Sequence, residues 1–383
     1  MDKIRHSRTG RRRHRTATWR RWLGPMGALA MVALVVVAYR VLLGGGAVGA
    51  GAESSGSAMA AAPERTASLP PLNLPRDDAP HAAATEWWYY NGHLMGADGN
   101  RYSFHATVFI RDGMVRHTVF HGSLNDYRHD RRHSHQLRTA GIPLAAVEQG
   151  FDFRHEGWRV AGAGGRHALK MAGDGFALDL VLDDAGTPVL HKAKGSTTPG
   201  VLDFGAAGIS YYYSRPRMQA TGVLRVDSGA AVKVNGEVWF DHQWGNFEAS
   251  RLAWNWFALQ LDDGTSLTVN QLFDREGRPV LVYGTRTEGA RSRALGADEI
   301  RLVPSGVWRS PRSGVRYPAG WTLSVGGEQL TITPLRADSE FNGLETTFAQ
   351  YWEGGVRVSG AKSGLGFLEM SGYDHVPAVQ PGG

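Results

Sequence analysis

From about residue 85 onward the chain is dominated by a period of two in its hydrophobic and polar positions. Tyr102, Phe104, Ala106, Val108 and Ile110 alternate with Ser103, His105, Thr107 and Phe109, and the run 176–182 alternates in the same way. A repeat of two places one set of side chains on each face of an extended segment, so these runs predict strands. Asp262-Asp263-Gly264 separates two such runs, 256–261 and 266–270, and Gly326-Gly327-Glu328 separates 321–325 from 330–333. Short loops of this composition are hairpin signals. The 50 glycines fall at turn-like intervals and no long amphipathic helix interrupts the pattern. The prediction is an all-β, antiparallel sandwich or barrel, and the stretch is long enough for two barrel-like units in succession.

A different pattern precedes residue 85. From Leu23 to Leu43 the chain is apolar except for Arg40 near its far end. Its length matches the roughly 20 residues that a helix needs to cross a bilayer. Nine of the 42 Lys and Arg residues lie in residues 1–21, beside a single acid, Asp2. That charge holds the N-terminus in the cytoplasm and sends the body outward, which predicts an inner-membrane, single-pass protein with a periplasmic or extracytoplasmic body. The run is longer than a usual signal core, which favours an uncleaved anchor. The alternative is a signal peptide cleaved near Ala50-Gly51-Ala52, giving a secreted body. Between residues 44 and 84 the composition is that of a flexible tether that stiffens into a proline-rich lead-in. The expected organisation is therefore a basic arm 1–22, a transmembrane helix 23–43, a linker 44–84, a first unit 85–249, a second 250–376 and a tail 377–383.

With the arm set aside, 33 basic residues face 35 acidic ones, so the body offers no basic surface for nucleic acid. The absence of cysteine excludes disulfides and thiolate chemistry. No zinc-peptidase, nucleophile-elbow or P-loop motif is present, and residues 44–49 match a dinucleotide pattern without its strand and helix. His129, His133 and His135 lie in a wholly polar stretch that reads as a solvated loop rather than a metal site. No cofactor and no metal is predicted.

Two aromatic and polar clusters carry the candidate chemistry. In the first, Glu86, Trp88 and Tyr90 share a strand face, with Trp87 on the other. A carboxyl beside indoles in a poorly hydrated place has a raised pKa and can act as an acid near neutrality. Its plainer alternative is a strand-entry carboxylate in water. In the second, His242 and Trp244 share a face while Asp241 is opposed, unless Gly245 marks a bulge. One reading makes His242 or Asp241 a proton donor or acceptor in an aromatic pocket; the other makes them a buried polar staple. Trp254 and Trp256 share a face downstream, and Tyr211 and Tyr213 extend the aromatic pattern. Catalytic candidates are thus His242, Asp241, Trp244 and Glu86, and ligand-binding candidates are Trp87, Trp88, Tyr90, Tyr211, Tyr213, Trp254 and Trp256. The expected ligand is a hydrophobic small molecule or lipid.

These residues, in order, resemble a known family. Glu86-Trp87-Trp88-Tyr89, Gly92-His93-Leu94, Tyr211-Tyr212-Tyr213-Ser214-Arg215-Pro216, Asp241-His242-Gln243-Trp244-Gly245, Tyr351-Trp352-Glu353-Gly354 and Leu368-Glu369-Met370-Ser371-Gly372-Tyr373 are similar to motifs of the lipocalin-like proteins. That group includes the carotenoid 1,2-hydratases, AttH-type secreted proteins and fungal lipocalin-like Diels-Alderases. The resemblance implies two consecutive lipocalin-like antiparallel β-barrels. For the hydratases it implies acid–base addition of water to an isoprenoid double bond, with His242 and Trp244 matching their His-x-Trp. Their Tyr-x-Asp on the following strand is replaced here by Val269-Asn270-Gln271. For the AttH-like branch it implies carriage of a lipid in the service of an ABC-transporter permease. A hydratase or isomerase and a non-catalytic carrier therefore both stand as readings.

Overall fold

The computed structural model describes Thr66 and residues 69–381. The basic arm, the apolar run 23–43 and the greater part of the expected linker lie outside the described residues. Among the described residues no helix is long and apolar enough to cross a membrane.

Among the described residues twenty-two strands form two sheets. The first sheet holds β1 (Thr85–Gly96), β2 (Arg101–Arg111), β3 (His117–Asp126), β4 (Arg131–Ala140), β5 (Phe151–His155), β6 (Trp158–Ala163), β7 (Arg166–Gly173), β8 (Phe176–Asp183), β9 (Val189–Leu190), β10 (Val201–Asp203), β11 (Gly208–Val226) and β12 (Val232–Phe247). The second holds β13 (Ala253–Leu261), β14 (Ser266–Phe273), β15 (Pro279–Glu288), β16 (Arg291–Gly296), β17 (Ile300–Arg309), β18 (Arg316–Val325), β19 (Glu328–Pro334), β20 (Glu340–Asn342), β21 (Gln350–Gly360) and β22 (Gly364–Ser371). Every pairing within them is antiparallel. The first runs β4-β3-β2-β1-β12-β11-β8-β7-β6-β5 and the second β16-β15-β14-β13-β22-β21-β19-β18-β17, so each curls as a half-barrel with two free ends. The fold is all-β, as the alternation predicts.

The strands read from sequence are present. Tyr102, Phe104, Ala106, Val108 and Ile110 of β2 all enter the first core. The β18–β19 turn is the two-residue Gly326-Gly327, both with positive φ (56° and 85°). That geometry matches strand twist and is open to glycine at little steric cost. The His-rich stretch differs from expectation, because Arg131 to His135 belong to β4 and pair with β3 instead of forming a loop.

The first core fills the hollow of the first sheet and the second core that of the second. Two further aromatic clusters lie between the sheets. One gathers Phe204, Tyr212, Phe247, Leu252, Leu272 and Tyr283, and the other Tyr89, Trp239, Trp256 and Phe367. Strands β1 and β12 therefore have no solvent face over much of their length. Trp88 and Tyr90 enter the first core while Trp87 and Tyr89 face the second sheet, which explains the unbroken aromatic run in β1. At one end the sheets are lashed together: Arg217 donates to the carbonyls of Leu261 (2.7 Å) and Thr265 (3.0 Å), Gln260 to that of Pro216 (2.6 Å), and His93 Nε2 to that of Gly366 (2.9 Å).

The lead-in before β1 is fastened to the first sheet. Leu72 and Leu74 pack on its core, and Tyr211 donates to the Pro70 carbonyl at 2.9 Å. Asp78, in a single 3-10 turn (Arg76–Asp78), is fully buried; its carboxylate accepts from the Tyr213 hydroxyl and from Gly164 N at 2.7 Å. At the other terminus Gln380 bonds the Tyr373 carbonyl at 2.7 Å.

Removing a buried, fully bonded carboxylate strands its donors. Asp78→Ala is expected to lower unfolding free energy by about 2–3 kcal/mol. Denaturant titration measures this, and a double-mutant cycle with Tyr213→Phe should show coupling. Additive losses would mean that the fastening is not made through this bond.

Candidate active site between the two sheets

A cavity of about 760 Å³ lies between the sheets. Its volume is in the range of sites that enclose small organic ligands. It is walled by Trp87 and Tyr89 of β1, Phe109 of β2, Phe247 of β12, Trp254 and Trp256 of β13, Leu272 of β14, Tyr283 of β15 and Tyr351 of β21. Besides Asp374, which follows β22, three carboxyls line it: Asp241 of β12, Glu353 of β21 and Glu369 of β22. The latter two are direct cross-strand neighbours, and Glu369 is also opposite Trp256.

Strand parity decides which predicted residues reach this space. The β11–β12 register is unbroken through Gly245, and its shift falls at Arg215–Met218 instead. With no bulge at Gly245, Asp241 faces the cavity and His242 and Trp244 face the first core. Of the catalytic candidates, Asp241 alone lines the cavity. Of the ligand-binding candidates, Trp87, Trp254 and Trp256 do so, whereas Trp88, Tyr90, Tyr211 and Tyr213 lie on the first-core side.

On that other face His242, Glu86 and His81 make a separate constellation. Glu86 Oε1 accepts from His81 Nδ1 (2.7 Å) and His242 Nε2 (2.9 Å), and Oε2 accepts from His81 N (2.9 Å). Trp244 stacks on His81 at 4.1 Å, and Trp88 stacks on His242 at 4.4 Å. Burial alone would raise Glu86, but the hydrogen bonds from His242 and His81 outweigh it and hold its carboxyl below the ordinary value. Burial lowers His242, with Glu86 offsetting part of the effect. The pair is thus a carboxylate accepting from a neutral imidazole. These are ligand types suited to a divalent cation, and their donor atoms lie within 4.8 Å of one another. The same atoms already satisfy each other as hydrogen bonds. The arrangement acts as a polar staple between the lead-in and the sheet.

Around the cavity the carboxyls are set apart electrostatically. Burial pushes Asp241 up to about 7, while bonds from Ser214, Tyr212 (2.7 Å) and Trp239 Nε1 (2.6 Å) favour its ionised form. Behind it, His191 Nε2 lies 2.6 Å from Ser214 Oγ, and Nδ1 lies 2.9 Å from Thr285 Oγ1 on the second sheet. Burial keeps His191 at about 3, hence neutral. Glu369 is raised to about 8 by burial, with a hydrogen bond from Trp254 acting downward and the Asp241 charge upward. Glu353 is driven well above the carboxylate range by burial and by Glu369; it accepts from the Tyr89 hydroxyl, which acts in the opposite sense. His121, held by Tyr351 (2.9 Å) and Thr346 (2.7 Å), is also kept neutral by burial, at about 3. The site therefore holds two protonated carboxyls beside a third that ionises near neutrality, in an aromatic enclosure. Such a set can both give and take a proton.

Glu353, Glu369, Tyr89 and Tyr212 stand in the family motifs of the sequence but were not among the site candidates. The signal for the two glutamates was local: each is a lone carboxyl in an otherwise apolar strand run, Tyr351-Trp352-Glu353 and Phe367-Leu368-Glu369-Met370. The Tyr-x-Asp departure has a structural counterpart. Val269 is buried in the second core, and between the altered positions Asn270 lines the cavity.

Comparisons with known proteins agree with this architecture. A crystal structure of a putative AttH from Nitrosomonas europaea matches with a TM-score of 0.71 and 26% identity, over 79% of this chain and 98% of that one. Kievitone hydratase from Nectria haematococca matches with a TM-score of 0.66 and 18% identity, over 79% of this chain and 94% of that one, and so shows the fold. No curated protein matches the chain. The AttH-like family model matches residues 65–373, nearly all of the two-sheet body, and the chain belongs to the AttH-like family.

Proposed function

We propose that the inter-sheet cavity is the active site of a hydratase-like enzyme acting on a hydrophobic, isoprenoid or polyketide-like ligand. The observation that carries the reading is the separation of Asp241 from Glu369 and Glu353 in one apolar enclosure. At neutral pH Glu369 holds a proton that an electron-rich double bond can take, leaving a carbocation on the neighbouring carbon. The faces of Trp87, Trp254 and Trp256 suit that charge. Water then adds to the cation as its proton passes to the Asp241 carboxylate, so that one molecule of water is added in all. The proton returns from Asp241 to Glu369 before the next turnover. Ser214, Tyr212 and Trp239 orient Asp241, and Tyr89 orients Glu353. Kievitone hydratase, which shares the two-sheet fold, is a hydratase by name, in keeping with this reading.

The proposal keeps the body outside the cytoplasm, tethered to the inner membrane by the run 23–43. Carriage of the same ligand for an ABC-type permease is the second reading. It draws support from Val269 and Gln271 standing where the hydratases have Tyr and Asp.

Two outcomes separate the readings. Asp241→Asn and Glu369→Gln should each lower kcat/KM for hydration of an apolar alkene by about 10²–10⁴-fold, the contribution of a general acid or base, with ligand affinity retained. Parent-level rates in both variants would remove Asp241 and Glu369 from the chemistry, and a parent chain that binds the alkene without hydrating it would leave only carriage. The pH profile follows from the two directions of proton transfer. The base must be ionised, so the rate falls as pH drops below about 7. The acid must be protonated, so it falls again as pH rises above about 8. A narrow bell between these limbs is expected. In Glu369→Gln the residual rate should lack the alkaline limb.

A further inference from the structure

The cavity has a dry end and a wet end of opposite character. Tyr89, Asp241 and Glu353 are buried at the first, with Glu369 half-buried beside them, while Ser250, Arg275, Phe348 and His375 are exposed lining residues at the second. Arg111 lines the wet end from the last position of β2, where it pairs with Thr85 at the start of β1. It is half-buried, and among the described residues no hydrogen bond or ion pair engages its guanidinium. Burial is the sole influence on its guanidinium, which is lowered with no neighbouring carboxylate to offset the effect.

The nearby acids are already committed. Asp112, next in sequence, pairs with Arg116 at 3.6 Å. Asp374, the acid lining the wet end, accepts from Gln350 N (3.1 Å) and His375 Nδ1 (2.8 Å). A guanidinium partly withdrawn from water, with no anion of its own, is a site for one brought by a ligand.

The register fixes how far that site lies from the buried carboxyls. Arg111 is level with Thr85, and Thr107 with Tyr89, which is opposite Asp241. Four strand residues separate the two levels, or about 13 Å. The walls between carry Trp87, Phe109 and Phe247.

From this we infer that the cavity takes an amphiphile: an anionic oxyacid head, carboxylate or phosphate, against Arg111, and an apolar chain of medium length reaching the Asp241 level. The inference rests on the cavity being the ligand site and names the class of molecule that fills it. The head fixes the depth of the chain, so the position of attack along it is set from the mouth.

The test uses quenching of the cavity tryptophans in the full chain by three ligands of equal length: ω-bromoundecanoate, ω-bromoundecyl phosphate and ω-bromoundecanol. At least one anion should bind about tenfold or more tightly than the alcohol, in line with a charge-assisted bond, and whichever anion is preferred identifies the head. Arg111→Gln should bring that anion to the alcohol's affinity and leave the alcohol unchanged, with Arg111→Lys retaining part of the preference. Equal binding of all three ligands, or a preference that survives Arg111→Gln, overturns the inference. The failure of hydration is read separately. Asp241→Asn should keep the head-group preference, so a chain that prefers anions yet never hydrates an alkene defeats the enzyme and leaves the amphiphile.

Discussion

The side-chain alternation of β1 and β12, strands enclosed on both faces, is the constraint on which the rest of the molecule depends. A strand with one wet face tolerates a register error at modest cost. Here a slip of one residue would exchange the contents of the first core and the inter-sheet space together. It would carry Asp241 out of the cavity and bring His242 into it, and it would break the Asp78 and Glu86 fastenings at once. Position along these two strands is thus specified from both sides. Each large aromatic side chain so buried contributes on the order of 2–3 kcal/mol, all of it conditional on parity.

The buried carboxyls are tolerable for two different reasons. Glu86 stays ionised because two imidazoles and an amide answer both of its oxygens. Glu353 and Glu369 keep their protons, which removes the charge that burial would penalise. Asp241 lies between these solutions, with three donors working against desolvation. These carboxyls thus divide into one held ionised by hydrogen bonds at the first sheet and a set that lines the space between the sheets. The boundary between them falls between consecutive residues, Asp241 and His242.

Much of the architecture was legible in the sequence because a period of two is a direct imprint of the pleat. The β2 and β8 alternations and the Gly326-Gly327 turn needed no tertiary information. The polar stretch from Arg131 to His135 misled, since solubility of its side chains did not prevent its backbone from pairing with β3. The site was half legible. Asp241, Trp87, Trp254 and Trp256 were reachable from their composition, but which of Asp241 and His242 meets the cavity depended on what covers each face of β12. Glu353 and Glu369 come from the far end of the chain, and only the β21–β22 pairing sets them side by side. The aromatic runs were ambiguous for the same reason: when both faces of a strand are enclosed, hydrophobicity no longer marks the inside.

The lashings that join the sheets have a further consequence. Arg217, Gln260 and His93 bind at the end where β1 and β13 finish, and the exposed lining residues stand where those strands begin. These bonds close one end of the chamber, and the exposed lining residues leave the opposite end as its opening to solvent. Entry and exit would then share one opening, so that an amphiphile goes in chain first and comes out head first.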